Sequence, residues 1–268
     1  MFRSYYGFKT NPFDKQLLSE KDAFQSHDYI EMTSRLNFLQ TVRGIGVFTS
    51  PPGFGKTYAL RCFARSLDKN LNEIAYISLS TVSLTEFYNQ LCLALGIDTS
   101  RSKPVMFKSI QDRLYYLYKE RKKPLFLIVD EAHELSAAIL KELKMIMNCE
   151  YDSLNCFSLV LVGEPHLNRT LEKSIHEALR QRIVIHYGFS GLSDSETKDY
   201  ILHKLSVASA PASVLGEGTL PAITGYAQSC PRLIDNLLNE AFTLGAQANL
   251  LSLTTDIIMA AANNLSLS

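Results

Sequence analysis

The densest concentration of chemistry-bearing residues is the octapeptide Ser50-Pro51-Pro52-Gly53-Phe54-Gly55-Lys56-Thr57. It follows the apolar run Ile45-Gly46-Val47-Phe48 and precedes Tyr58-Ala59-Leu60-Arg61-Cys62-Phe63-Ala64, whose apolar positions have helical spacing. A buried strand, a glycine-bearing turn and a helix opening on Lys-Thr can hold the phosphates of a nucleotide. The N–H groups of the turn and of the first helical turn converge on the anion. In such a loop Lys56 reaches the β- and γ-phosphates and the Thr57 hydroxyl ligates Mg²⁺, with Pro52, Gly53, Phe54, Gly55 and Tyr58 completing the cradle. The usual pattern is G-x-x-x-x-G-K-[ST]; this chain has Ser50 in the first position.

A second group of candidates lies downstream. The apolar run Leu127-Ile128-Val129 ends in Asp130-Glu131, and two carboxylates at the end of an apolar strand point to something charged at the carboxyl edge of a sheet. In nucleotide-binding sheets the first of them, here Asp130, holds Mg²⁺ through water, and the second, Glu131, polarises the water that attacks the γ-phosphate. Asp130-Glu131-Ala132-His133 also spells the box of one helicase superfamily, but the other helicase motifs are absent from the sequence, and His133 is read as structural. Arg180 and Arg182 precede another apolar run. In ring-forming ATPases an arginine there enters the neighbouring subunit's site and stabilises the transferring phosphoryl. Arg182, which abuts the strand, is the first choice and Arg180 the second. Pro231-Arg232 opens a helix and places a cation, Arg232, for the γ-phosphate. Glu164, at the tip of the run Leu159-Val160-Leu161-Val162, is expected between Asp130 and the attacking water, with Asn148 as the alternative.

These groups need a scaffold, and the hydrophobic pattern supplies one. Residues 73–79, 124–130, 157–162 and 182–186 read as strands in addition to the run before the phosphate loop. Helical spacing intervenes over residues 84–95, 107–118 and 136–148, and residues 27–42 form a helix before the first strand. Strands alternating with helices of ten or more residues argue for a parallel α/β sheet with helices on both faces. Beyond residue 191 the strand signal stops, and residues 197–207, 218–228, 231–248 and 254–264 read as four helices. The expected organisation is an N-terminal arm and helix over 1–43 packed on the core, an α/β nucleotide-binding domain over 44–190 and a small helical domain over 191–268. The arm is rich in aromatics (Tyr5, Tyr6, Phe8, Phe13, Phe24), expected to anchor it on the main domain or to meet the base of a nucleotide.

Bulk properties narrow the class. The chain has 268 residues, 46% of them hydrophobic, and equal numbers of cationic and anionic side chains, 27 each, so no global field draws in a polyanion. The cysteines are five, scattered, and without a C-x-x-C spacing, which suits a reducing compartment. The N-terminus is polar and aromatic rather than signal-like, and the longest apolar runs fall far short of the roughly 20 residues that cross a bilayer. A cytoplasmic, soluble protein without membrane contact is expected.

Taken together, the chain resembles the AAA+ ATPases, specifically the ExeA-like group and the transposition ATPases related to it. The residues that carry the resemblance are Tyr6-Gly7-Phe8 with Asn11-Pro12-Phe13, the phosphate loop, Leu127 to His133 and Leu140-Lys141-Glu142-Leu143 with Asn148. It extends through Leu161 to Leu167, Leu179-Arg180-Gln181-Arg182-Ile183 and Pro231-Arg232-Leu233-Ile234. Departures from the family pattern are Ser50, Ser229 and Glu164. The resemblance implies an α/β P-loop NTPase fold with a five-stranded parallel sheet in the order 5-1-4-3-2. It also implies an all-helical lid, ATP with Mg²⁺ held between the two, and assembly into a ring or helical filament. Because the sequence stops at Ser268, just after the lid, it is similar to the transposon-encoded MuB, TnsC, TniB and IstB kind. That kind oligomerises with ATP on duplex DNA and recruits or stimulates a transposase. The ExeA kind, an ATPase of a secretion or envelope-assembly machine, is the alternative, and a nucleotide-dependent, non-hydrolysing adaptor is another.

A local feature supports DNA independently. Residues 101–123 hold eight cations against two carboxylates, Asp112 and Glu120, in a chain of zero net charge. Arg101 and Lys103, on an expected loop, rank above Lys119, Arg121, Lys122 and Lys123 as phosphate contacts that would not read bases.

Overall fold

The computed structural model describes residues 2–14, 22–78, 83–148 and 155–266. In chain order the elements are α1 (Phe2–Tyr5), α2 (His27–Val42), β1 (Gly44–Thr49), α3 (Lys56–Ser66), β2 (Glu73–Ser78), α4 (Leu84–Ala94), α5 (Lys103–Lys119), β3 (Leu125–Asp130) and α6 (Ala137–Ile146). There follow β4 (Ser158–Gly163), α7 (His166–Leu171), α8 (Glu177–Arg180), β5 (Ile183–Gly188), α9 (Asp194–Val207), α10 (Thr219–Ala227), α11 (Pro231–Gln247) and α12 (Thr255–Leu265). The expected strand over 73–79 ends at Ser78, and Leu79 lies outside the described residues.

By their contacts the residues form two compact units. The first comprises Glu31–Pro52 and Lys56–Phe189 and holds the sheet. Its five strands are all parallel in the order β2-β3-β4-β1-β5, the order that the resemblance implies. Every residue of β1, β3 and β4 is buried, as an interior strand covered on both faces requires. The edge strands β2 and β5 alternate between buried and exposed residues. Polar groups inside the sheet are satisfied: the buried Ser158 hydroxyl at the start of β4 donates to the Leu39 carbonyl of α2 at 3.0 Å. The described cysteines Cys62, Cys92, Cys156 and Cys230 are buried thiols.

The second unit comprises Met1–Ile30, Gly53–Gly55 and Ser190–Ser268. The aromatic arm, expected on the α/β domain, gives Phe2, Phe8 and Phe13 to this unit's core alongside Ile201, Leu237 and Phe242. Phe242, fully buried on α11, explains the placement. Its ring stacks on Phe2 and Phe13, with centroids 5.8 and 5.9 Å away, and meets Tyr6 and Phe8 edge-on. Such arrangements add to the burial term. The arm's main chain is tied down as well, Lys9 N–H donating to the Ala208 carbonyl at 3.1 Å. The start of α9 carries a full capping box: Ser193 accepts from the Glu196 N–H, and Glu196 accepts from the Ser193 N–H.

Candidate functional site

In the sheet unit β1 is followed by Ser50, Pro51 and Pro52, and α3 opens on Lys56. The ammonium of Lys56 is buried and donates to the Ser50 carbonyl and the Ser50 hydroxyl, both at 2.8 Å, and to the Pro51 carbonyl at 3.2 Å. This accounts for the departure at the loop's first position. Ser50 is not among the residues with positive φ, so its backbone needs no glycine, and its hydroxyl serves the lysine as an acceptor.

The conformational demand falls on the two later loop positions. Gly53 and Gly55 have φ of +89° and +96°, a region that side chains disfavour. Gly53 is also crowded. An added Cβ would lie 2.8 Å from Cys230 Sγ and 2.9 Å from Arg232 Cβ, all within the helical unit. Gly53→Ala is therefore expected to destabilise the protein by about 1–3 kcal/mol, the usual cost of holding a side chain in such a region, read as a drop in thermal midpoint. A midpoint equal to the parent's would contradict it.

Thr57, the second residue of α3, points its hydroxyl at the end of β3. Its Oγ1 donates to Asp130 Oδ2 at 2.9 Å. Asp130 is buried, and two further donors reach its carboxylate. The Tyr76 hydroxyl of β2 donates to the same oxygen at 2.8 Å, and the Glu131 N–H to Oδ1 at 3.0 Å. Burial, and then the bond to Asp130, raise the pKa of the Tyr76 hydroxyl well above its ordinary value, which keeps it a donor. Sequence reasoning missed Tyr76. The only signal was strand register: Tyr76 pairs with Ile128 and Ser78 with Asp130, so Tyr76 shares a face with the carboxylate.

Glu131 turns the chain out of the sheet with φ +55°, a left-handed conformation uncommon outside glycine and often found where function demands it. Its side chain is half exposed. His133, two residues on, is largely buried. Its Nδ1 accepts the Glu164 N–H at 3.2 Å, which puts the ring proton of the neutral form on Nε2, 3.4 Å from Glu134 Oε1. Nδ1 also lies 3.4 Å from Glu131 Oε2. The ring sits over β4's last residue, where a Cβ on Gly163 would come within 3.0 Å of the His133 N. Glu164 thus stands beside His133, its Oε1 3.9 Å from Nε2.

The remaining candidates make contacts of their own. Arg182 Nη2 donates to Asn148 Oδ1 at 2.6 Å. Arg180 is exposed, and its Nη1 caps the end of α7 through the Glu172 carbonyl at 2.8 Å. In the helical unit Arg232 is exposed on the first turn of α11, and its N–H donates to the Gly53 carbonyl at 3.3 Å. Phe54 belongs to the same unit, its ring filling the space where a Cβ on Gly191 would stand. Pro52 is exposed, and the Arg61 guanidinium lies 5.9 Å from the Tyr58 ring centre.

The basic stretch divides. Arg101, Lys119, Arg121 and Lys122 are exposed. Lys103, however, opens α5 rather than lying on a loop, and its ammonium donates to Glu142 at 2.6 Å. Glu142 also accepts from the Tyr88 hydroxyl at 2.6 Å. Burial alone would raise the Glu142 pKa, but these two bonds together with the charges of Lys103 and Lys141 outweigh it and hold the carboxyl below its ordinary range. Lys123 donates to Glu73 at 3.0 Å.

Comparison with known proteins places this geometry. Residues 40–171 match the family model described as an AAA domain. The chain is 28% identical over 253 residues to General secretion pathway protein A of Aeromonas hydrophila, covering 92% of this chain but 46% of that protein. The chain thus spans about half of that relative's length, and where its sequence ends says nothing of partner class. Among solved structures, Cdc6p from Pyrobaculum aerophilum superposes with a TM-score of 0.75 at 18% identity, covering 96% of this chain and 71% of that one. The Aeropyrum pernix ORC1 protein in complex with DNA gives 0.68 at 15% identity, covering 92% and 68%. At these identities the structures bear on the fold alone. With the strand order, the loop and the paired carboxylates in place, the chain carries the α/β P-loop AAA fold, and its residues 40–171 match an AAA domain.

Proposed function

We propose that the chain is an ATP hydrolase whose nucleotide state governs its assembly with further copies of itself. The observation that carries this reading is the Thr57 hydroxyl held 2.9 Å from the Asp130 carboxylate, with Glu131 next in the chain. A hydroxyl and a carboxylate are hard oxygen donors and suit Mg²⁺, which is commonly held by one or two carboxylates together with phosphates and water. Among the described residues no group of three or more His, Cys, Asp and Glu could hold a metal alone, so the nucleotide's own oxygens would complete the shell. Bound there, Mg²⁺ would neutralise charge on the β- and γ-phosphates.

In this reading Gly53 and Gly55 let the loop backbone approach the phosphates, and Lys56 exchanges its loop acceptors for phosphate oxygens. Glu131 accepts a proton from the attacking water, and Glu164, carried on the His133 bond, orients that water. Arg182, or Arg180 in its place, acts on the site of a neighbouring copy, and Arg232, at the start of α11, supplies a cation for the γ-phosphate. Phosphate release from ATP, measured for the parent and for loop and carboxylate variants, tests it.

The similarity to General secretion pathway protein A favours a partner in a secretion or envelope-assembly machine. A second reading, assembly on duplex DNA with a transposase as partner, is supported by the exposed Arg101, Lys119, Arg121 and Lys122. A cytoplasmic location is proposed for either, from the buried thiols; among the described residues no helix is long and apolar enough to cross a membrane. Filter binding of duplex DNA separates the two. The DNA reading expects retention that requires a non-hydrolysable ATP analogue and weakens with salt, log K falling by about 0.9 per log unit of salt for each phosphate neutralised. No nucleotide-dependent retention at low salt would exclude it and leave the secretion-type partner.

A further inference from the structure

We propose that Tyr76 is a positioning residue that fixes the Asp130 carboxylate for the metal accompanying the nucleotide. The inference rests on the metal-holding role given to Asp130 above. A carboxylate offers about four lone-pair positions, and three are taken here by donors from three different elements. Thr57 Oγ1 comes from α3, the Tyr76 hydroxyl from β2 and the Glu131 N–H from the turn after β3. Two of these converge on Oδ2 and one binds Oδ1, so the carboxylate plane is held at both ends.

Tyr76 is the donor that nothing in the phosphate loop or the carboxylate pair requires. It sits on an edge strand and is 46% exposed, so its ring contributes less to the core than a fully buried one. In register it stands beside Ile128, two residues short of Asp130's own partner, Ser78. A phenol is long enough to span that offset. Thr57 reaches that oxygen from α3, and Tyr76 reaches the same oxygen from the sheet. Groups that orient a metal's ligands through hydrogen bonds change metal affinity by about 10–100-fold when removed.

The test uses the full chain with Tyr76→Phe and Asp130→Asn. Affinity for a fluorescent ATP analogue is measured in EDTA, and binding of Mn²⁺ to the protein–nucleotide complex is followed by electron paramagnetic resonance. Tyr76→Phe is expected to bind nucleotide like the parent in EDTA and to bind Mn²⁺ about 10–100-fold more weakly, with Asp130→Asn weaker still. If Asp130→Asn loses Mn²⁺ and Tyr76→Phe does not, the positioning role is overturned while the metal role of Asp130 stands. If neither variant loses Mn²⁺, the metal role itself fails. Equal loss of nucleotide affinity by Tyr76→Phe with and without metal would also overturn the proposal, since the residue would then be shaping the fold.

Discussion

Glu131→Gln is expected to lower ATP turnover by about 10²–10⁴-fold, the range for removing a general base, while nucleotide affinity stays close to the parent's. The effect is local. The substitution keeps side-chain length, and the site is half exposed, so neither a cavity nor a buried charge is created. The left-handed backbone at this position is held by the N–H that donates to Asp130 Oδ1, and that N–H is unchanged. What changes is basicity: an amide cannot take the proton of the attacking water. The variant should therefore accumulate as an ATP-bound oligomer. Turnover within a factor of about three of the parent would place the base elsewhere, with Glu164 as the next carboxylate to remove.

Lys56→Ala is expected to weaken ATP binding by about 100-fold or more. The ammonium is buried and gathers three loop acceptors around itself, so it is a fixed cation at the point where phosphate charge would arrive. Hydrogen bonds to charged groups contribute about 1.5–3 kcal/mol each, and roughly 1.4 kcal/mol is a factor of ten in affinity. Loss of contacts to the β- and γ-phosphates thus predicts at least two decades. Titration with a fluorescent ATP analogue measures it. Because the substitution also leaves Ser50 and Pro51 carbonyls without that donor, thermal unfolding run alongside separates lost affinity from a loosened loop. Parent-like affinity would contradict the assignment.

What was legible in the sequence follows from what burial does to composition. The interior strands β1, β3 and β4 are covered on both faces, so their sequences are nearly continuous apolar runs. The edge strand β5 carries exposed positions, which blurred its end: it continues to Gly188, past the expected limit at residue 186. The short helices α7 and α8, six and four residues long, are too brief for a 3.6-residue period to register. The aromatic arm announced burial but not the core it would enter, because that depends on Phe242 more than 200 residues away. Lys103 and Lys123 read as surface cations for the same reason. Their carboxylate partners, Glu142 and Glu73, lie 39 and 50 residues away in the chain. The phosphate loop and the Asp130-Glu131 pair were legible because their chemistry is written in consecutive residues. Tyr76 was not, because its part in the site depends on the register between two strands.

Lys56, Thr57, Asp130 and Glu131 are the four residues of the proposed ATP-hydrolysing centre. Steady-state phosphate release from ATP with Mg²⁺, measured on the parent beside Lys56→Ala and Glu131→Gln, tests it most directly. Release by the parent and loss in both variants are expected, in the first through failed binding and in the second with ATP still bound. Release at the parent's rate by both variants, or a parent that binds ATP and releases no phosphate, would contradict it.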